Sequence, residues 1–373
     1  MKQLALFFTF NMSVEKWKRS GLLDREKIIY EEHIKRDHLD RIYWFTYGTR
    51  DKKYSARLPE EIEIIHMPKI FNFALGRLIY SFLMPFLYPG ILKQCVLKTN
   101  QMSGSWTAII ARMLYKRPLI LRTGWTWSLF TREKNRKWYS FLIRILERLA
   151  YYKCDVAAVT SNFQKDHIIH AYKINKKKIE VIPNYIDLDI FKKRKEIHAR
   201  KNVLLFIGRL EKQKNLFNLI YAVSKVKFPL VIYGKGSLKK ELVDIAKSSK
   251  ALVFFRESIP NDKLPEIYNQ YKYFILPSFY EGMPKVLIEA MACGCVCIGC
   301  NVQGVREIIK NRYNGFLMEN TRREAIYKGL KTVMGTSQKI LQQYSDHACL
   351  TVKDYGLESV VTKENALIKR FIR

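Results

Sequence analysis

Short apolar runs alternate with helical patterns along nearly the whole of this chain, and that alternation restricts the fold more than any other feature. Leu4–Phe10, Ile42–Tyr47, Glu63–Met67, Gln94–Lys98, Leu119–Thr123, Val156–Thr160 and Ile179–Ile182 read as strands in the first half. Val203–Ile207, Leu230–Tyr233, Leu252–Phe255, Tyr273–Leu276 and Val296–Ile298 read the same way in the second. Helical patterns such as Arg25–Arg36 and Trp138–Tyr151 lie between them. Strands that alternate with helices form parallel sheets, because each strand needs a crossover to reach its neighbour in the same direction. With 373 residues there is material for two such domains, each with its own core. Pro183-Asn-Tyr-Ile-Asp187, followed by the charged stretch Lys192–Lys201, is the natural boundary, and Ser359–Ile372 reads as a final helix. No 20–50-residue repeat or low-complexity segment interrupts this scheme.

The net charge is +32, and the basic excess runs through both halves instead of collecting in a tail, which argues against a nucleic-acid-binding arm. One stretch differs. Ile64–Arg132 contains no Asp or Glu, carries nine Lys and Arg, and includes the apolar segment Ile70–Tyr88. Arg77, Pro85 and Pro89 argue against a membrane span, which needs about twenty uninterrupted apolar residues. A buried core helix and an interfacial helix drawn to anionic lipid both remain open for it. Met1–Phe10 lacks a small-residue cleavage site and reads as the first strand, not a signal peptide. The seven cysteines are expected as reduced thiols in the cytoplasm. Four crowd into Cys293-Gly-Cys-Val-Cys-Ile-Gly-Cys300, but that spacing is not one of the common structural zinc patterns, so core packing is expected and no metal site.

Two carboxylates carry the chemistry. Glu281 and Glu289, with seven residues between them, follow the apolar run Tyr273–Pro277. Pro284 starts the helical pattern Val286–Ala292, so Glu281 falls on the loop at the carboxyl end of a strand and Glu289 inside the next helix. Ligands of open α/β sheets bind at that edge, and a helix N-terminus there favours anions. Upstream and downstream stand Phe206-Ile-Gly-Arg-Leu-Glu-Lys-Gln-Lys-Asn215, Tyr233-Gly-Lys-Gly-Ser237, Pro277-Ser-Phe-Tyr-Glu-Gly282, Gly304-Val-Arg-Glu-Ile-Ile309 and Asn314-Gly-Phe-Leu317.

In order and spacing, these segments resemble those of retaining nucleotide-sugar glycosyltransferases of the family 4 (group 1) type. The resemblance is strong over about residues 180–320 and weaker before. It implies the α/β GT-B fold: two Rossmann-like parallel-sheet domains, 1–183 for the acceptor and 184–355 for the nucleotide sugar, facing across a cleft. It further implies that the last segment, 356–373, forms a helix returning to the first domain. By the same resemblance Glu281 contacts the donor sugar, Glu289 holds the ribose, and the backbone of Gly282, Met283 and Pro284 passes under the sugar. Arg209 and Lys214, with Gly208 before them, are placed to stabilise the charge on a departing diphosphate. Gly304 and Val305 would add amide donors there, and the base would rest near Arg256–Pro260.

Asp187-Leu-Asp189 lies in the linker, and no other Asp-x-Asp stands ready for a metal, so lysine and arginine are expected to replace Mg²⁺. The expected reaction is metal-independent transfer from a nucleoside-diphosphate sugar to a saccharide or lipid-linked acceptor, by a front-face route, in cell-surface polysaccharide assembly. The expected location is the cytoplasm, with an anionic surface on the inner membrane as a further partner and no nucleic acid. The first half departs from the family pattern. Thr9–Gly21 replaces its glycine-rich loop, and Leu121-Arg-Thr-Gly-Trp-Thr-Trp127 stands where many members have a histidine. Asn11, Arg122 and Trp125, with Asn100 and Trp127, are the acceptor-side candidates. A soluble synthase or epimerase of the same fold, or a non-catalytic scaffold, are the alternatives.

Overall fold

The structure, a computed structural model, describes residues 2–124 and 137–372, with side chains from Phe141 onward in the Lys137–Lys153 helix. Trp125 and Trp127 therefore lie outside the described residues. Contacts divide the chain into two units. The first comprises Met1–Pro183 with Val361–Arg373, and the second Asn184–Val360.

The first unit is built on a seven-stranded sheet: β1 (Gln3–Phe7), β2 (Arg41–Phe45), β3 (Ile62–Ile65), β4 (Val96–Thr99), β5 (Leu119–Thr123), β6 (Val156–Val159) and β7 (Ile179–Val181). Its order is β3-β2-β1-β4-β5-β6-β7, and every pairing is parallel. The first, fourth and sixth strands are buried at every position, which is why they read as continuous apolar runs and not as alternation. The chain builds outward from β1 through β2 to β3, then returns to place β4 on the other side. Loops leaving β1 and β4 consequently diverge at the carboxyl edge.

The second unit repeats the plan with β8 (Lys201–Ile207), β9 (Leu230–Tyr233), β10 (Val253–Arg256), β11 (Tyr271–Leu276), β12 (Val296–Cys300) and β13 (Phe316–Met318). Its order is β10-β9-β8-β11-β12-β13, again wholly parallel. Both units are Rossmann-like, as the alternation predicts. The sequence reading finds all of these strands except β13, whose three residues overlap the Asn314-Gly-Phe-Leu317 motif. The switch in strand order here falls between β8 and β11, so the loops after those two strands open a crevice.

Two elements answer questions the sequence left open. Ala74–Leu87 is a helix with one face in the core, through Gly76, Tyr80, Ser81, Met84 and Pro85. Its other face exposes Leu75, Leu78, Ile79, Phe82, Leu83, Phe86 and Leu87, so it is not a buried core helix. Among the described residues no helix is long and apolar enough to cross a membrane. The final helix, Leu357–Lys369, begins in the second unit, and from Val361 onward belongs to the first. There Glu364 pairs with Lys98 of β4 and with His33 Nε2 at 3.5 Å, all three side chains buried.

Candidate active site

Every donor-side residue expected from the sequence lies in the second unit, on the loops after β8 and β11 or in the helices that follow β11 and β12. Gly208, Arg209 and Lys214 follow β8, while Glu281, Gly282, Met283 and Pro284 follow β11. The two loops are tied together. Gln213 donates its side-chain amide to Tyr280 O (2.9 Å), and Phe279 N–H donates to Gln213 O (2.9 Å). Asn215, in the left-handed region with φ of 56°, donates from Nδ2 to Pro277 O (2.9 Å) and Thr321 O (2.8 Å). An asparagine tolerates that conformation better than most residues, and its amide then serves both neighbouring segments.

This stitching brings Lys214 and Glu281 together. Lys214 Nζ donates to Glu281 Oε1 at 2.6 Å, and Ser278 Oγ donates to the same oxygen at 2.6 Å. Lys214 is 8% exposed and Glu281 7%, so the ion pair is withdrawn from water. Both donors meet Oε1, and among the described residues none meets Oε2. Arg209 stands exposed on the same loop, 3.5 Å from Gln213 Oε1. Gly208 lies against the lysine: a Cβ there would come 3.1 Å from the Phe206 ring and 3.8 Å from Lys214 Cε.

Glu289 lies in the Lys285–Ala292 helix, which is apolar on almost every side and accordingly buried. Its Oε2 accepts from Tyr268 OH at 3.0 Å, and only 2% of the residue is exposed. Burial, and then the charge of Glu289 beside it, push the Tyr268 hydroxyl well above its ordinary value, so it is a donor at any working pH. Met283 O accepts from Asn184 Nδ2 at 2.9 Å, and Pro284 leads into the helix.

Gly304 has a steric reason to be glycine. A Cβ there would lie 1.9 Å from Gly282 O and 2.6 Å from Glu281 O, so the residue is bare because the Glu281–Gly282 backbone crosses it. Val305 is fully buried, and its N–H is spent on Val302 O at 3.0 Å. In the first unit Arg122 is likewise committed. Its guanidinium donates to Ile182 O (2.5 Å) and Pro183 O (3.4 Å), which fastens the end of that unit. Asn11 follows β1 with φ of 62° and bonds Lys16 and Arg77.

Sequence reading passed over Gln213, Ser278, Asn215 and Tyr268. The first three stand inside the quoted motifs, but nothing in spacing separates a side chain that holds two loops together from one on a solvated turn. Cys293, Cys295, Cys297 and Cys300 are all fully buried, and burial pushes the Cys295 and Cys300 thiols up to about 12. Among the described residues no group of three His, Cys, Asp or Glu is arranged to hold a metal.

Residues 187–348 match the family model of glycosyl transferases group 1, and residues 32–190 match that of glycosyltransferase family 4. Together the two matches run through most of the chain. It belongs to the group 1 glycosyltransferases. The chain is 29% identical over 261 residues to the N-acetylgalactosamine-N,N'-diacetylbacillosaminyl-diphospho-undecaprenol 4-alpha-N-acetylgalactosaminyltransferase of Campylobacter jejuni, covering 67% of this chain and 70% of that one. It is 30% identical over 231 residues to the UDP-Gal:alpha-D-GlcNAc-diphosphoundecaprenol alpha-1,3-galactosyltransferase of Escherichia coli, covering 56% and 58%. Sucrose-phosphate synthase from Thermosynechococcus elongatus superposes with a TM-score of 0.78 over 99% of both chains at 16% identity, a likeness of fold alone. The glycosyltransferase therefore has the GT-B fold that the sequence predicts.

Proposed function

We propose that this glycosyltransferase moves a sugar from a nucleoside diphosphate to a saccharide carried on a lipid diphosphate, without a metal ion and with retention of configuration. The observation that carries this reading is the buried Lys214–Glu281–Ser278 cluster beside Arg209, on the two loops that flank the strand-order switch. Departure of a nucleoside diphosphate builds negative charge, and preorganised cations in a water-poor site stabilise it without reorganisation. Lys214, withdrawn from water, and Arg209, exposed on the same loop, supply that charge where other enzymes use Mg²⁺. Glu281, through Oε2, is the acceptor for a sugar hydroxyl. Glu289, held by Tyr268, is the group for the ribose.

Glu281 is a poor nucleophile here, since Lys214 and Ser278 both draw on its charge. A covalent glycosyl intermediate on it is therefore disfavoured against a front-face transfer. In that transfer the anomeric carbon's bond to the diphosphate oxygen breaks, and its bond to the acceptor oxygen forms on the same face. The departing diphosphate takes the acceptor proton.

The lipid carrier is supported by the exposed face of the Ala74–Leu87 helix and by the diphospho-undecaprenol in the names of both relatives. Exposed Leu78, Ile79, Phe82 and Phe86, with Arg144 and Arg148 exposed on the Lys137–Lys153 helix of the same unit, suit an anionic membrane surface.

The test is incorporation of radiolabelled sugar from UDP, GDP and ADP donors into butanol-extractable product, with polyprenyl-diphosphate-linked saccharides as acceptors and EDTA present. Label in the butanol phase, with the anomeric configuration of the donor, is expected. Label confined to water-soluble product would overturn the acceptor reading, and activity abolished by EDTA and restored by Mn²⁺ would overturn the metal-free one.

A further inference from the structure

The donor chemistry leaves unused a cavity of about 490 Å³ in the first unit, at the carboxyl ends of β1, β2 and β3. Five cations line it, Lys16, Arg19, Arg50, Lys69 and Arg77, against the single carboxylate of Glu15. That carboxylate is already taken: Arg19 lies 2.9 Å from it and Lys53 3.6 Å. Lys16 Nζ donates to Asn11 O (2.6 Å) and Oδ1 (3.2 Å), and Arg77 donates to the same Oδ1 (3.2 Å). Two cations thus converge on one neutral amide oxygen. Arg77 Nε is buried without a hydrogen-bond partner. Burial, together with the charge of Arg77, holds the Lys16 ammonium below its ordinary value. Like charges gathered this way oppose one another, and an anion among them removes the opposition.

The apolar helix continues from the same place. Arg77 and Asn72, at its start, line the cavity, while Leu78, Phe82 and Phe86 follow on its exposed face. A ligand with a compact, multiply charged anion joined to a hydrocarbon chain matches both features at once. We propose that this cavity binds the diphosphate of the lipid-linked acceptor, with Lys16 and Arg77 as its central contacts and the lipid running along the Ala74–Leu87 helix. The proposal rests on the lipid-diphosphate acceptor read above, and it assigns a site to that diphosphate separate from the nucleotide's.

Geranyl diphosphate and inorganic pyrophosphate, titrated calorimetrically into the whole protein saturated with UDP, test it. Geranyl diphosphate should bind at least tenfold tighter than pyrophosphate. The Lys16→Gln/Arg77→Gln double variant should lose tenfold or more of that affinity while keeping its Tm and its UDP binding. Arg209→Gln, which leaves the buried Lys214–Glu281 pair intact, should do the reverse, weakening UDP and keeping geranyl diphosphate. Unchanged geranyl diphosphate affinity in the Lys16/Arg77 variant would overturn the site, and equal binding of the two probes would overturn its lipid assignment. A wild type that binds geranyl diphosphate but no nucleotide would support this cavity while removing the donor assignment.

Discussion

Lys214 and Glu281 are each more than nine-tenths buried, so neither charge can be removed without leaving the other stranded. Glu281→Gln should lower kcat by about 10²–10³, the loss typical when one preorganised electrostatic group is removed from a transition state. It should also destabilise the second unit by ~3–5 kcal/mol, the usual consequence of breaking a buried pair from one side. Steady-state kinetics and urea denaturation on the same preparation check both. Gly304 gives a second test. Alanine there puts a Cβ 1.9 Å from Gly282 O, and the loop bearing Glu281 must shift. Activity should fall at least tenfold in Gly304→Ala. Gly335→Ala, whose Cβ meets nothing nearer than 3.6 Å, should leave it unchanged. At this scale the sequence was readable where a residue belongs to a motif and opaque where its partner is distant. Glu281, Lys214 and Arg209 were named from order and spacing. Arg122 shows the second case: the carbonyls it bonds, those of Ile182 and Pro183, lie sixty residues away and leave no local trace.

Among the elements, the last helix and the exposed apolar helix make separate predictions. Glu364 anchors the last helix to β4 of the first unit. Burial alone would raise its carboxyl pKa, but Lys98 and His33 outweigh that and hold it well below the ordinary value of 4.5. A depressed carboxyl contributes stability that is fully present above the unfolded value and lost as pH falls through 4.5 and below. Tm should therefore decline between pH 6 and pH 3 in the wild type, and decline less in Glu364→Gln, which starts lower. Equal slopes in the two proteins would remove this role from Glu364. For the Ala74–Leu87 helix, Leu75→Glu/Phe86→Glu should weaken co-sedimentation with anionic vesicles at least tenfold without lowering Tm, since both side chains are more than half exposed already. The sequence marked this helix as apolar and acid-free. It could not say which face was covered, because the few less apolar positions, Gly76, Tyr80 and Ser81, are among those buried and most of the larger apolar side chains are exposed.

For the molecule as a whole, the alternation of strands and helices contained nearly all of the fold. Twelve of the thirteen strands stand where the apolar runs lie, since parallel strands buried on both faces need continuous runs and little else. Only the three-residue β13 escaped. Strand order was not legible, and it matters most, because the switch between β8 and β11 is what turns two separate motifs into one site. The cationic cavity at β1–β3 was equally hidden: its residues come from four separate segments, and only Asn11 was picked out. The central claim, that the second unit grips a nucleoside diphosphate through Arg209 and Lys214 without a metal, is tested most directly by nucleotide binding. Thermal shift with UDP, GDP and ADP in EDTA should show stabilisation by one of them in the wild type, growing as RT ln(1 + [L]/Kd). The shift, read against each protein's own Tm without nucleotide, should be lost in Arg209→Gln/Lys214→Gln, whose starting Tm the stranded Glu281 lowers. No shift with any nucleotide at millimolar concentration, or a shift that survives in the double variant, would contradict it.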